Sequence, residues 1–217
     1  MFESKKHVFW QALLVTAVFF IFGLVLGVYL EQMRADDFNT SFYNSEISLY
    51  DSLALSKFFE SNVSSCGEIK SATISFADRI YEEARSLEKV EEKSKLTESS
   101  KSIHRKYDLL RTLLWMNIID AKKKCGTMNS VVYLYENNAE DIQTKSEQAV
   151  WSRILGDLKE KRGNEIVLIP IAVDNNLASL DSLIKTFNVT DYPAVIVNEN
   201  SIVYGVESVE DIEKLLK

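Results

Sequence analysis

The strongest constraint in this sequence is an almost unbroken apolar run from Val8 to Leu30, in which only Gln11 and Thr16 are polar. As a helix the run is about 34 Å long, enough to cross a hydrocarbon core of roughly 30 Å. The alternative is a cleaved signal peptide. The run exceeds the usual apolar core of such peptides, and no small-residue cleavage pattern follows it. We therefore expect an uncleaved signal-anchor helix at 8–30 that contacts the lipid bilayer.

Charges on the two sides of this run predict its orientation. Lys5, Lys6 and the amino terminus precede it, and a mostly acidic stretch, 31–37, follows it. Basic residues stay on the cytoplasmic side of a membrane helix. The sequence therefore predicts a single-pass protein of the cell membrane, with residues 1–7 in the cytoplasm and the rest outside it.

Two glycines inside the run form a helix-contact pattern. Gly23 and Gly27 make a GxxxG, which lets two membrane helices approach closely. One such pattern points to a homodimer through this helix. The alternative that both glycines are incidental stays open.

Composition excludes several function classes. A formal net charge of −7 offers nothing to neutralise a phosphate backbone, so we expect no nucleic-acid partner. The chain has 2 Cys and 2 His without zinc-finger spacing. Nucleotide-binding glycine loops, the hydrolase GxSxG and the zinc-protease HExxH are absent from the sequence. We therefore expect no metal, no cofactor and no catalytic residue.

Helical periodicity predicts an extracytoplasmic helical stem over 31–129. A first apolar stripe has the spacing of an amphipathic helix: Phe42 or Tyr43, Ile47, Tyr50, Ala54 and Phe58. Two further stripes of matching length flank a polar turn near 91–102, which predicts an antiparallel hairpin over 66–125. Ser64 or Ser65 is expected to cap the first hairpin helix.

The two cysteines stand at equivalent places in this hairpin. Cys66 lies just before its first helix and Cys125 just after its second, so antiparallel packing brings both sulfurs to one end. Outside the cytoplasm such a pair favours a structural disulfide. The alternative is a redox-active pair, although 59 residues of separation lack the CxxC spacing of such sites.

The remainder, 130–217, predicts an α/β domain. Strands are expected at 131–135, 165–173, 194–197 and 202–204, and helices at 139–162, 177–187 and from Ser208. In the last helix, Ile212, Leu215 and Leu216 are expected to face inward. The second strand is apolar throughout, which is typical of a strand buried on both faces. The order is β-α-β-α-β-β-α, a parallel pair followed by an antiparallel hairpin.

Residues 187–216, FNVTDYPAVIVNENSIVYGVESVEDIEKLL, resemble the second half of the thioredoxin fold. The resemblance rests on Val189 before Pro193, followed by strand, turn, strand and helix, and extends over 130–217. It implies that Tyr192–Pro193 is a cis peptide bordering a substrate groove. Another small α/β sandwich with the same element order is the alternative.

The chain departs from this family at the redox motif. Where redox-active thioredoxins carry CxxC, the sequence after the first strand reads ENNAED, 136–141, without a cysteine. Thiol exchange is therefore not carried over. The groove is carried over by analogy. Its expected residues are Tyr135, Asn137, Asn138, Tyr192 and Pro193, and an extended peptide is its expected ligand.

Two functions follow as hypotheses. The first is a membrane-anchored, redox-inactive thioredoxin-like module that binds a protein or peptide, or acts as a scaffold, outside the cytoplasm. The second is a thiol–disulfide oxidoreductase or folding factor that uses Cys66 and Cys125.

Overall fold

The computed structural model describes residues 3–60, 65–91, 98–126 and 128–216. The chain divides into two units, Met1–Asn44 and Ser45–Lys217. The first unit is part of a long helix that contains the apolar segment Val8–Met33, with a mean hydropathy of 2.7 and no buried residue. Among the described residues, this is the one segment long and apolar enough to cross a membrane.

Six helices and four strands make up the described chain. The helices are α1 (Glu3–Glu60), α2 (Cys66–Glu91), α3 (Glu98–Cys125), α4 (Ile142–Arg162), α5 (Ala178–Thr186) and α6 (Val209–Leu215). The strands are β1 (Asn129–Tyr135), β2 (Ile166–Ala172), β3 (Ala194–Val197) and β4 (Ser201–Val203). From β1 onward the elements follow the predicted order, with short 3₁₀ turns on both sides of β2.

Helices α2 and α3 form the predicted hairpin. They pack along each other, and Ile69 near the start of α2 is buried with Ala121 near the end of α3, which requires antiparallel helices. Ser65 begins α2 with a capping box: its Oγ accepts from the Glu68 amide at 3.3 Å, and Glu68 Oε2 accepts from the Ser65 amide at 2.9 Å. The alternative cap, Ser64, and the centre of the turn, 92–97, lie outside the described residues.

The stripe predicted on the last part of α1 has the opposite orientation to the one its pattern indicates. Ile47 and Tyr50 are 64% and 65% exposed, whereas Ser48 and Ser52 are buried. The buried face of this part of α1 is polar because it contacts a polar group of the hairpin: Ser48 Oγ donates to Glu83 Oε1 of α2 at 3.1 Å. The exposed members of the stripe are Tyr43, Ile47, Tyr50, Ala54 and Phe58, and the side chain of Phe42 is not described.

The four strands form one mixed sheet in the order β2-β1-β3-β4. β1 pairs parallel with β2 and antiparallel with β3, and β3 pairs antiparallel with β4. Alternate residues of β1 are buried on both sides: Val131 packs with Trp151 of α4, while the neighbouring Val132 is equally buried. On the α3 and α5 side, Trp115 stacks on Phe187 with ring centroids 5.0 Å apart. The mixed α/β class is thus confirmed, and Trp115 and Trp151 are both fully buried.

Two details of this half differ from the sequence-based expectations. α4 begins at Ile142 instead of residue 139, because Asp141 is its N-cap and accepts from the Thr144 amide at 2.8 Å. Ile142 is consequently 82% exposed. In α6, Ile212 is buried but Leu215 is exposed, since three residues turn a helix by only about 300°.

The second strand, β2, is also not buried on both faces, although its apolar sequence indicates such a strand. β2 lies at one edge of the sheet, and Leu168 and Pro170 are only half-buried. A proline inside an apolar strand is a signal for an edge position, because proline has no amide hydrogen for a ladder bond.

Candidate functional site

The cysteine pair lies at the base of the hairpin. Cys66 and Cys125 have Cα atoms 5.5 Å apart and sulfurs 2.09 Å apart, as in a disulfide. The cavity beside them, also lined by Ile69 and Ala121, measures about 40 Å³ and holds little more than a water molecule. The predicted pairing is therefore present and joins the start of α2 to the end of α3.

The predicted groove is only partly assembled. The Tyr192–Pro193 bond is cis, as the thioredoxin resemblance implies. The main-chain amides of two expected groove residues both contact Asp174: Asn137 N–H donates to Asp174 Oδ1 at 3.0 Å, and Asn138 N–H to Asp174 Oδ2 at 2.8 Å. The Asn138 side-chain amide also donates to Asp174. These groups hold the loop after β1 and leave less backbone for a peptide.

The aromatic members of the predicted groove point to different places. Burial, followed by the carboxylates of Asp181 and Glu136, raises the pKa of Tyr192, so this side chain lies near α5 and near the loop that follows β1. Tyr135 instead stacks on Tyr133 with ring centroids 5.3 Å apart. Tyr135 and Tyr192 thus have different neighbours: the Tyr133 ring contacts Tyr135, and Asp181 and Glu136 lie near Tyr192.

Tyr135 and Asn137 belong to a larger cleft of about 570 Å³ between the α2–α3 hairpin, α4 and the β1–β2 side of the sheet. Its volume is in the range of ligand-binding pockets in proteins. Four tyrosines line the cleft: Tyr81, Tyr107, Tyr133 and Tyr135. Tyrosine is enriched at interfaces because it joins a large apolar ring to a hydrogen-bonding hydroxyl.

Two phenols of this cleft, Tyr107 and Tyr133, have raised pKa values and are neutral at physiological pH. Burial, followed by the Glu83 carboxylate, raises the pKa of Tyr107 to about 12, against the opposing effect of Arg111. Burial likewise raises the pKa of Tyr133, whose hydroxyl donates to the Gln148 carbonyl at 3.3 Å. Both hydroxyls are therefore available as neutral hydrogen-bonding groups.

Arg111 is the charged side chain among the described residues that line the cleft. His104 and Arg111 belong to its lining, and the described lining residues include no carboxylate. Arg111 Nη1 lies 3.2 Å from Asp108 Oδ1, behind the cleft surface. Asp108 also accepts from the Ala172 amide at 3.2 Å and from the Asn175 side chain. Burial raises the pKa of Asp108, and the Arg111 guanidinium opposes this effect.

The open side of β2 forms part of the cleft. Successive residues of a strand direct their amide and carbonyl groups to opposite sides. Ala172 N–H contacts Asp108, and the Ile166 carbonyl accepts from Lys159 Nζ at 3.0 Å, so the even-numbered residues face away from β1. Leu168 and Pro170 share this direction and both line the cleft.

Comparison with known proteins assigns no family to this chain, so its function is inferred from the geometry of the cleft and the groove. No protein-family model matches the chain, and no curated protein matches it.

Sequence reasoning missed most of this cleft. The sequence predicts a hairpin that contains Tyr81, Tyr107 and Arg111, but its periodicity does not indicate where the hairpin meets the sheet. Asp174 follows β2, next to the end of β1, where the ends of parallel strands meet; this position was a usable signal. Pro170 was a second usable signal, because a proline inside an apolar strand indicates an edge position.

Proposed function

We propose that this protein is a single-pass, membrane-anchored binding module that holds a redox-inactive thioredoxin-like domain outside the cytoplasm and recognises a protein or peptide there. The observation that carries the proposal is the tyrosine-lined cleft of about 570 Å³ between the hairpin and the sheet. The cysteines lie in a different place, at the base of the hairpin.

The thioredoxin-like assignment is supported by topology and by one peptide bond. The sheet order β2-β1-β3-β4, with one parallel and two antiparallel pairs, suits the β-α-β-α-β-β-α unit of that fold. The cis bond before Pro193 leads directly into β3. The loop after β1, 136–141, carries acids and amides in place of the CxxC motif.

The membrane assignment is supported by the apolar segment of α1. All of its side chains from Val8 to Met33 are exposed, and a lipid environment removes this apolar surface from water. Lys5 and Lys6 favour a cytoplasmic amino terminus. Pairing through Gly23 and Gly27 is part of the same proposal, because no side chain separates two helices at these positions.

The experiment tests binding with the full chain in lipid nanodiscs. A random peptide display library is selected on the wild type, and enriched peptides are then measured on two blocked variants. Gly156→Trp fills the cleft from α4, where an added Cβ meets no atom within 4 Å. Tyr192→Ala with Asn138→Arg alters the groove beside Pro193 instead. Asp157→Trp, on the exposed side of α4, is the matched control.

We expect Gly156→Trp to abolish peptide binding and Asp157→Trp to preserve it. Binding lost only with Tyr192→Ala and Asn138→Arg would place the site at the predicted groove instead of the cleft. A wild-type chain that retains no peptide would refute a peptide-binding function. Circular dichroism of each variant checks that the fold is intact.

A second candidate is thiol–disulfide exchange, and one observation favours it. Cys66 is exposed and is the first residue of α2, and a helix start is a position typical of reactive cysteines. Equilibration in glutathione buffers discriminates between the functions. A pair that stays oxidised in millimolar glutathione is structural, whereas a reduction potential of about −200 mV would support a redox role.

A further inference from the structure

We propose that the cleft binds an extended, acidic peptide that adds as a strand to the outer edge of β2 at Leu168–Pro170. The inference rests on the proposed binding function and specifies its ligand and its mode of binding. Strand addition to an exposed sheet edge gives affinity through main-chain hydrogen bonds.

The first step is the set of backbone groups that β2 presents to the cleft. Leu168 offers one amide and one carbonyl on the side away from β1, and Pro170 offers a carbonyl without an amide hydrogen. An added strand therefore receives one hydrogen bond from the edge and donates two to it. This pattern suits a strand in either direction that pairs over about three residues.

The second step is the length of this open edge. At one end, Lys159 Nζ donates to the Ile166 carbonyl at 3.0 Å. At the other end, Asp108 accepts from the Ala172 amide at 3.2 Å. Five residues of strand lie between the two side-chain contacts, which are six residue steps or about 20 Å apart. These contacts protect both ends of the edge from extended pairing and leave its centre as a short recognition site.

The third step is the space beside the edge. Gly156 of α4 lines the cleft opposite the hairpin and contributes no side chain, and even an added Cβ would meet no atom within 4 Å. Tyr81 on α2 is 61% exposed and forms part of the other wall. The side chains of an added strand alternate in direction, so alternate residues of the peptide reach these aromatic walls.

The fourth step is charge. Arg111 lines the cleft, and the described lining residues include no carboxylate, within a chain of net charge −7. A guanidinium has five N–H donors, and the Nη1 of Arg111 contacts Asp108 at 3.2 Å, which offsets part of its charge. The neutral hydroxyls of Tyr107 and Tyr133 add no negative charge to the lining. A peptide with aspartate or glutamate therefore fits better than a basic one.

The test uses the most enriched peptide from the display selection on the full chain in nanodiscs. Amide hydrogen exchange is followed by NMR with and without this peptide. Exchange of the Leu168 amide is expected to slow by about tenfold or more, because the peptide accepts its hydrogen bond. Val167 and Ile169, whose amides face β1, are expected to change much less.

The charge preference is tested on the same peptide and on versions with glutamine or lysine in place of its acids. We expect the lysine version to bind about tenfold or more weakly, at the level of one lost charge-assisted contact. Arg111→Met is expected to reduce this difference. Gly156→Leu, a smaller blocker than tryptophan, keeps the test valid if Gly156→Trp does not fold.

The outcomes separate this inference from the proposed function. Peptide binding that is lost in Gly156→Leu while the Leu168 amide stays unprotected would refute strand addition but retain the binding module. Enrichment of basic peptides would refute the acidic ligand. Failure of every peptide to bind would refute both. Protection of Leu168 together with acidic enrichment supports the inference in full.

Discussion

Lys122 near the end of α3 contacts the turn between β3 and β4, where its Nζ lies 2.6 Å from Glu199 Oε2. The two side chains are only 22% and 12% exposed. Lys122 also donates to the Asn198 carbonyl at 3.1 Å, and Ser130 Oγ donates to Glu199. The hairpin is thus fastened to the sheet by a largely buried ion pair, on the same final turn of α3 that ends at the disulfide.

Lys122→Met is expected to lower the free energy of unfolding by about 2 to 4 kcal/mol, because it leaves Glu199 largely buried without its cation. Lys123→Met is the matched control. The Lys123–Asp120 pair is 71% and 59% exposed, so its loss should change stability by less than about 1 kcal/mol. Urea unfolding followed by circular dichroism gives both values. Equal effects of the two substitutions would contradict this account.

Replacing both Cys66 and Cys125 with alanine is expected to lower the free energy of unfolding by about 4 kcal/mol in the chain-entropy description of a bridge closing 59 residues. Dithiothreitol should lower the stability of the wild type to the same level and leave the double variant unchanged. Peptide binding in the cleft should persist. Free thiols in protein isolated under acid trapping would contradict a structural disulfide.

Tyr107→Phe is expected to protect the fold against alkali. Burial and Glu83 raise the pKa of Tyr107 to about 12 from its usual 10.0, so the folded state favours the protonated phenol. The resulting stabilisation is present below pH 10 and is lost as the pH rises to about 12, a loss of up to about 3 kcal/mol. Urea midpoints near pH 9 and pH 11.5 measure it. Tyr50→Phe, at an exposed position, should retain the wild-type decline.

Local signals predicted the elements of the fold well. The hairpin followed from two apolar stripes of equal length around one turn, and the same symmetry placed Cys66 beside Cys125. The capping residue Ser208 was recognisable because Asp211 follows three residues later; its Oγ accepts from the Asp211 amide at 3.2 Å. These features depend on neighbours in sequence, which a pattern contains.

Contacts between distant elements were beyond the reach of such patterns. Asp108 holds Ala172, which is 64 residues away, and nothing in the periodicity of α3 distinguishes this carboxylate from a solvated one. The outward stripe at Ile47 and Tyr50 has the same cause: the pattern gives an apolar face, but the polar partners of Ser48 on α2 decide which face turns inward. The cleft is formed by contacts of this kind.

The orientation of the last part of α1 gives a paired prediction. Ser52→Glu is expected to destabilise the chain by about 2 kcal/mol or more, because Ser52 is fully buried and the substitution brings a carboxylate without a partner into the contact. Tyr50→Glu, two residues away, should change stability by less than about 0.5 kcal/mol since its side chain is exposed. Thermal unfolding of the two variants measures both effects. A larger effect at Tyr50 than at Ser52 would show that the apolar stripe faces the hairpin.

Membrane topology is tested with single reporter cysteines in the chain that lacks Cys66 and Cys125. Ser4→Cys lies before the apolar run, and Glu160→Cys lies at an exposed position on α4. A membrane-impermeant maleimide should label Glu160→Cys in intact cells and Ser4→Cys only after lysis, because Lys5 and Lys6 keep the amino terminus inside. The opposite labelling would reverse the orientation. Loss of the Ser4→Cys peptide from the mature chain would instead identify a cleaved signal peptide and refute the anchor.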